Sequence, residues 1–79
     1  MKITVEVVGP LRDHLPVESK NGLWELSFEE PPSLSYVVNV SLDLRDVDKI
    51  VLANGKYVTP DYSLKDGDMV QIFSPLPGG

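Results

Sequence analysis

The first residues of the chain, up to Val7, alternate between polar and apolar side chains. In the segment KITVEVV, Ile3, Val5 and Val7 are apolar and the positions between them are polar. A period of two is typical of a β-strand that buries one of its faces. Gly9 and Pro10 follow directly and end the pattern, because both residues favour turns. The sequence therefore predicts an opening strand with one face in the core.

A second alternating segment, LWELSFE, occupies residues 23–29 after a polar connection. Asn21 and Gly22 stand just before it, and both residue types accept the positive φ angles that tight turns require. Glutamate and serine fill the positions between its apolar residues, so we predict a second strand that forms a hairpin with the first. The residues expected on its core face are Trp24, Leu26 and Phe28.

The period changes in the next segment, PPSLSYVVNVSLDL. From Leu34 the apolar residues recur at i, i+3, i+4 and i+8, which is the spacing of one helix face. Pro32 suits a helix start, and Ser33 or Ser35 can cap the free N–H groups of the first turn. Tyrosine, valine and asparagine are weak helix formers, so YVVNV alone also fits a strand. We favour a short helix over residues 34–42.

The segment KIVLANGKYV carries a strong hairpin signal. Asn54 and Gly55 separate two apolar stretches, and a type I′ turn needs positive φ at both central positions. The sequence therefore predicts a strand before this turn and a short return strand after it.

A final strand is predicted in MVQIFS, directly after a tight turn at residues 66–68. The alternation places Val70 and Ile72 on one face and Phe73 on the other, together with Met69. The turn itself, Asp-Gly-Asp, has two carboxylates that suggest a metal at first sight. Because a turn before a strand accounts for them, we expect no metal site.

These elements predict a single α+β domain over residues 1–73, followed by an extended tail over residues 74–79. Two hairpins flanking one helix form one sheet of about four to five strands, with the short helix packed across one face. The first and last strands are rich in β-branched residues, so they suit a central, parallel position in a mixed sheet.

Charge and composition narrow the classes of function. The net charge is −5, and the seven basic residues are scattered, whereas nucleic-acid binding usually requires a basic stripe. No apolar stretch approaches the roughly 20 residues of a membrane span. There is no cysteine, which suits a reducing compartment. We therefore expect a cytoplasmic protein that binds neither nucleic acid nor membrane, and we identify no targeting segment.

The tail SPLPGG has an unusual composition for the end of a small domain. Pro75 and Pro77 lack an N–H and cannot continue a strand ladder, so the tail should leave the sheet. Six extended residues reach at most about 20 Å, which is enough to carry a carboxylate into another protein's pocket. Gly78 and Gly79 have no Cβ and can pass a narrow channel. The alternative is that the two glycines are only a frayed end.

The C-terminal half resembles the sulfur-carrier proteins of the MoaD/ThiS family. The motifs that carry this resemblance lie in residues 49–79: the Asn-Gly hairpin, then Leu-x-Asp-Gly-Asp-x-Val-x-Ile, then Ser-Pro and the terminal Gly-Gly. The opening strand and LRDHL resemble the family more loosely. The resemblance implies a ubiquitin-like β-grasp fold, which fixes the strand order that the residue pattern alone leaves open.

The resemblance also implies a function. In the family, an ATP-dependent adenylating enzyme of the ubiquitin-activating type activates the last glycine, and a sulfur-donor system converts it to a thiocarboxylate. Gly79 would then carry the sulfur, and Gly78 would give passage through the enzyme's channel. The protein would bind no cofactor itself, since ATP is used by the enzyme, and it would not be an enzyme alone. A larger synthase subunit is a further partner that the resemblance implies, in molybdopterin-type or thiamine-type cofactor biosynthesis.

Two other functions remain open on the residues alone. A ubiquitin-like modifier would be joined to target proteins through the same Gly79 carboxylate. A β-grasp interaction module would use its surface and leave the tail unreactive.

The residues expected to bind a partner lie at the end of the last strand and in the tail. Phe73 is placed outward by the alternation, and Leu76 is an apolar residue in the tail; both suit burial in an activating enzyme. Pro75 and Pro77 complete this predicted partner-binding segment. The alternative is that Phe73 or Leu76 folds back on its own domain.

Overall fold

The structure of the protein, a computed structural model, describes residues 1–15, 19 and 21–75, and all of its strands and helices lie there. The strands are β1 (Lys2–Val8), β2 (Leu23–Ser27), β3 (Ile50–Ala53) and β4 (Met69–Phe73). The helical segments are a 3₁₀ helix (Gly9–His14), the α-helical turn α1 (Leu34–Tyr36) and a π-helical turn (Val37–Ser41) that continues α1.

The four strands form one mixed sheet in the order β2-β1-β4-β3. The central strands β1 and β4 are parallel, with Val5 opposite Val70, while β2 and β3 pair antiparallel with their neighbours. This arrangement confirms the predicted α+β fold and the central position of the first and last strands. The helical segment packs across one face of the sheet, as the sequence predicts.

Two turns adopt the positive φ angles predicted for them. Asn54 and Gly55 have φ of 52° and 79°, and the flanking Ala53 and Lys56 exchange two backbone hydrogen bonds. The earlier turn, before β2, restricts the residue type at position 22 more severely. Gly22 has φ of 77°, and a Cβ there would lie 2.6 Å from the carbonyl oxygen of Val7. Only glycine fits this approach, which brings β2 against β1.

The residues that follow the Asn54 turn do not form the predicted return strand. Between the turn and β4, pairing in the described chain is limited to two isolated bridges, Lys56 with Ala53 and Ser63 with Ser33. The chain then crosses the start of the helix, where the carbonyl oxygens of Pro60 and Tyr62 accept hydrogen bonds from the second and first helical N–H groups. The segment therefore satisfies helix donors that would otherwise be unpaired.

The helix predicted over residues 34–42 is present, and the strand alternative for this segment is wrong. The Ser33 hydroxyl accepts a hydrogen bond from the Tyr36 N–H at 3.1 Å, which is an N-cap. The helix then widens, because the Leu42 N–H bonds to the Val37 carbonyl five residues earlier. This π-turn ends the helix after a total length close to that predicted.

The core lies between the helix and one face of the sheet. It is built from the alternating residues of β1 and β4 together with leucines from the loops, and Leu44 and Leu64 are almost completely buried. The predicted core residues of β2 face the same side but are only partly buried, because β2 is an edge strand. The buried residues are Ile3, Val5, Val7, Leu11, Leu34, Val37, Val38, Leu42, Leu44, Ala53, Leu64, Val70 and Ile72.

Candidate functional site

The C-terminal tail leaves the sheet from a central strand. β4 lies between β1 and β3, and it ends at Phe73. Ser74 is partly buried and Pro75 is exposed, so the chain reaches the surface within two residues of the strand. The predicted site residues Leu76, Pro77, Gly78 and Gly79 lie outside the described residues.

The face of the sheet opposite the helix is open to solvent at several apolar positions, and we call it the open face. Alternation along β4 places Val70 and Ile72 in the core and directs Phe73 to the open face, as the sequence predicts. Along β1 the same alternation gives the open face Thr4, Glu6 and Val8.

Three apolar residues of the open face lie together at the end of β4, where the tail begins. Phe73 lies opposite Val8 of β1 on one side and opposite Ile50 of β3 on the other. Val8 is 45% exposed, and Ile50 and Phe73 are partly buried. We call Val8, Ile50 and Phe73 the tail-side patch. Its members come from three strands, and they place an apolar contact surface beside the base of the tail.

Sequence reasoning identified Phe73 in this patch but missed its two neighbours. A signal was present for Val8, because it is an apolar residue at an outward position of an otherwise polar outward face. Ile50 carried no such signal, since IVLA is apolar throughout and its facing residues cannot be assigned by alternation.

Two polar residues, Glu6 and Gln71, occupy the centre of the next row of the open face, between Leu23 and Leu52. Gln71 donates a hydrogen bond from Nε2 to Glu6 Oε1 at 3.2 Å. Gln71 Oε1 is buried and has no hydrogen-bond partner among the described residues. The open face therefore combines an apolar end near the tail with a polar centre, which is the usual composition of a protein-binding surface.

A network of side-chain hydrogen bonds fixes the start of β4. Asp66 Oδ1 accepts from the Lys2 N–H at 2.6 Å, and Asp68 accepts from the Asn54 amide at 3.0 Å and the Lys65 N–H at 2.8 Å. Asn54 Oδ1 in turn accepts from the Met69 N–H at 3.0 Å. These bonds explain why carboxylates flank Gly67, and they support the interpretation of this motif as a turn.

The described residues also bear on other classes of site. They contain no group of three histidine, cysteine, aspartate or glutamate side chains positioned to hold a metal ion. None of the helices among residues 1–15, 19 and 21–75 has the length and apolar character needed to cross a lipid bilayer.

The strand order, the parallel central pair and the helix on one face define a ubiquitin-like β-grasp domain, and residues 74–75 follow its central strand β4. The sequence matches the ThiS family over residues 5–79, which is nearly the whole chain. The protein therefore belongs to the ThiS family. This confirms the resemblance identified from the C-terminal motifs, and the matched region includes both terminal glycines.

Solved structures show the same fold. SAMP1 from Haloferax volcanii superposes with a TM-score of 0.76 at 13% identity, covering all of both chains. A protein named as molybdopterin converting factor subunit 1 from Pyrococcus furiosus gives 0.75 at 23% identity, covering 95% of this chain and 98% of that one. A chain of the complex of subunits 1 and 2 of molybdopterin-converting factor from Helicobacter pylori gives 0.65 at 19% identity, with full coverage of both chains. No curated protein sequence matches the chain.

Family and fold together support a role of the sulfur-carrier type. Members of this family are small carrier subunits, which is consistent with a carrier role.

Proposed function

We propose that this protein is a sulfur carrier in which the carboxylate of Gly79 is adenylated by an ATP-dependent activating enzyme and converted to a thiocarboxylate. The observation that carries the proposal is the family match, which runs through the Gly-Gly motif to residue 79. The position of β4 supports it, because a central strand that ends beside an apolar patch can deliver its tail to a docked enzyme.

The chemistry needs no side chain of the carrier. A carboxylate oxygen of Gly79 attacks the α-phosphorus of ATP, and pyrophosphate leaves, which gives an acyl-adenylate. A hydrosulfide equivalent from a sulfur-donor system then attacks the carbonyl carbon, and AMP leaves with the former carboxylate oxygen. The product is a thiocarboxylate, and its sulfur is transferred to a cofactor precursor. All catalytic groups belong to the partners in this scheme, so the carrier supplies recognition and reach.

The tail and the tail-side patch have separate roles in this proposal. Gly78 and Gly79 enter the enzyme's channel, where the missing Cβ atoms permit close passage. Pro75 and Pro77 restrict the backbone of the tail, which lowers the entropy lost when an enzyme binds it in an extended form. Phe73 with its neighbours in the patch, and Leu76 in the tail, provide the apolar contacts that hold the carrier during adenylation.

A second partner is a larger synthase subunit that receives the charged tail. The fold likeness to a protein seen in a complex of two molybdopterin-converting factor subunits motivates this part of the proposal. The same open face then serves both partners in turn, which implies that the enzyme and the synthase subunit compete for the carrier. The sulfur acceptor is of the molybdopterin type or the thiamine type.

Two tail variants test the proposal with purified activating enzyme from the same cells. Deletion of Gly79 and addition of one alanine after it should each abolish ATP–pyrophosphate exchange, because the reacting carboxylate is then misplaced. Both variants should retain the stability of the parent domain, since the strand ladder ends at Phe73. Val40→Ala is the matched control: Val40 is 52% exposed on the helix, across the sheet from the patch. Exchange that survives either tail change would refute the proposal.

The alternative function, as a protein modifier, begins with the same adenylation. It differs in the nucleophile that attacks the acyl-adenylate. If a lysine amine takes the acyl group, the product is an isopeptide bond and no sulfur is incorporated. Gly79-dependent conjugates in cell extract, without a detectable thiocarboxylate, would favour the modifier over the carrier.

A further inference from the structure

A groove lies between the helix and strand β3, on the core side of the sheet. It has a volume of about 220 Å³, and its walls are mostly apolar: Leu34 and Val38 from the helical segment, Val51 from β3, and Val58 from the chain after the Asn54 turn. Lys49, directly before β3, also lines the groove. The groove is distinct from the tail-side patch, which lies on the opposite face of the sheet.

The strand that borders this groove has a free edge. β3 is the last strand of the sheet, and apart from the bridge between Ala53 and Lys56 at its end, only β4 pairs along it within the described chain. Ala53 exchanges its backbone hydrogen bonds with Lys56, so its N–H and C=O point away from β4. Backbone groups of an antiparallel strand alternate in direction, which turns the N–H and C=O of Val51 to the same free edge. An additional strand would find its main-chain partners there.

The charge of the groove lining differs from that of the whole protein. The net charge of the chain is −5, yet the groove lining contains no carboxylate and one cation, Lys49. The Lys49 ammonium donates a hydrogen bond to the Val47 carbonyl oxygen at 3.0 Å. That contact holds the charge at the groove and leaves two of its three N–H donors for another group. The groove therefore complements an apolar segment that carries a carboxylate.

We propose that β3 and this groove form a second docking site, which binds an extended peptide segment of a partner protein by strand addition. Main-chain hydrogen bonds form along the edge at Val51. Alternate apolar side chains of the peptide enter the groove against Val38 and Val58. A carboxylate of the peptide on the same face pairs with Lys49.

This site is independent of the sulfur chemistry. A partner bound at β3 leaves both the tail and the open face accessible, so the carrier can be held by one protein while another charges Gly79. Failure of either proposal would leave the other standing, because one is read from pyrophosphate exchange and the other from peptide binding.

A designed peptide tests the site directly. The probe is acetyl-Asp-Thr-Val-Thr-Val-Thr-Asp-amide, whose alternation sends valine and aspartate to one face and threonine to the other. Aspartate at both ends places a carboxylate beside Lys49 in either strand direction. We expect titration into the isotope-labelled full chain to shift the amide resonances of Val38, Val51 and Ala53. The amide of Glu6, on the open face, should not move.

The charge of Lys49 provides the discriminating comparison. Lys49→Glu should weaken binding of the aspartate peptide by about three- to tenfold, the range expected for reversing one partly exposed ion pair. The same variant should bind the peptide with lysine in place of aspartate more tightly than the parent does. Lys2→Glu is the matched control, since it makes the same charge change at an exposed residue of β1, which β4 separates from β3, and it should leave both affinities unchanged.

Four results would overturn this inference. The first is the absence of any shift at Val51. The second is a set of shifts confined to the open face or to β2. The third is equal binding of both peptides by the parent and by Lys49→Glu. The fourth is a concentration-dependent shift at Val51 without peptide, which would assign the groove to a second copy of the chain.

Discussion

Ile72 and Phe73 are neighbours in β4, yet their side chains lie on opposite faces of the sheet. Ile72 is fully buried against the helix side, whereas Phe73 is partly exposed between Val8 and Ile50. One strand therefore serves two purposes: alternate residues bind the domain together, and the others form a surface beside the tail. Stability and partner recognition can therefore be changed separately in this protein, by substituting inward-facing or outward-facing residues of β4.

The core side of this comparison should show the largest effect. Ile72→Ala removes a fully buried side chain from the centre of the core, and we expect a loss of about 2–5 kcal/mol in the free energy of unfolding. Urea denaturation measures this loss. If the alanine variant is too unstable to measure, Ile72→Val should cost about 0.5–1.5 kcal/mol. If either variant lost less stability than its own expected range, this face of β4 would not be the source of stability.

A backbone test sharpens the comparison without changing a side chain of either face. Gly22→Ala forces a non-glycine residue to positive φ and places its Cβ against the Val7 carbonyl oxygen, so we expect a loss of about 2–3 kcal/mol. Gly67→Ala is the matched control. Gly67 also has positive φ, but nothing lies within 4 Å of its Cβ position, so about 1 kcal/mol of strain is expected. Equal losses in thermal or urea unfolding would contradict the close-approach argument.

The open-face side should show the reverse behaviour. Phe73→Ala should weaken binding of the activating enzyme by about 1–3 kcal/mol, as for an interface hot spot. Its cost in stability should stay below about 1.5 kcal/mol, because the side chain is only partly buried. Calorimetric titration and urea unfolding give the two quantities, with Val40→Ala as the control for both. If Phe73→Ala lost as much stability as Ile72→Ala and bound the enzyme unchanged, Phe73 would be a core residue and not a binding residue.

The smallest expected effect concerns the helix that covers the core face. Ser33→Ala removes the N-cap hydrogen bond that the Ser33 hydroxyl accepts from the Tyr36 N–H. We expect a loss of about 1 kcal/mol in the free energy of unfolding and no effect on enzyme binding. Ser35→Ala is the control, because the Ser35 hydroxyl contacts only that of Ser33 in the described structure. Comparable losses for the two serines would show that the cap is not the stabilising contact.

Sequence patterns predicted the parts of this fold that depend on local rules. Alternation placed the core residues of β1 and β4 correctly, and Asn54-Gly55 formed the expected turn. The start of the helix was also predicted, through Ser33. Each of these features is determined by residues close together in the chain, so short-range reasoning is sufficient for them.

The features that were missed depend on contacts between distant segments. Leu44 and Leu64 are buried, but they lie in loops where no period marks them. The return strand after Lys56 is absent from the described fold because the chain instead supplies the carbonyl oxygen of Pro60 to the helix start. The N–H group that needs this acceptor belongs to Ser35, roughly 25 residues earlier, and a local sequence pattern does not reveal such a contact.

The same distinction applies to the candidate site. Phe73 was predicted from alternation within one strand, whereas its partners Val8 and Ile50 are assembled by pairing across three strands. The predicted roles of Leu76, Pro77, Gly78 and Gly79 rest on the sequence and on the family, and they stay predictions.

The sulfur-carrier function requires that the Gly79 carboxylate become a thiocarboxylate. The most direct measurement is the intact mass of the protein isolated from its own cells, before and after treatment with iodoacetamide at neutral pH. Because the chain has no cysteine, a thiocarboxylate is the expected site of rapid alkylation. Oxidation of either of the two methionines changes the mass by nearly the same amount as replacement of one oxygen by sulfur. Alkylation separates the two cases, because methionine sulfoxide does not react in this way. We predict one added carbamidomethyl group, located at Gly79 by fragmentation; a protein that carries only the carboxylate, under conditions where its partners are active, would contradict the account.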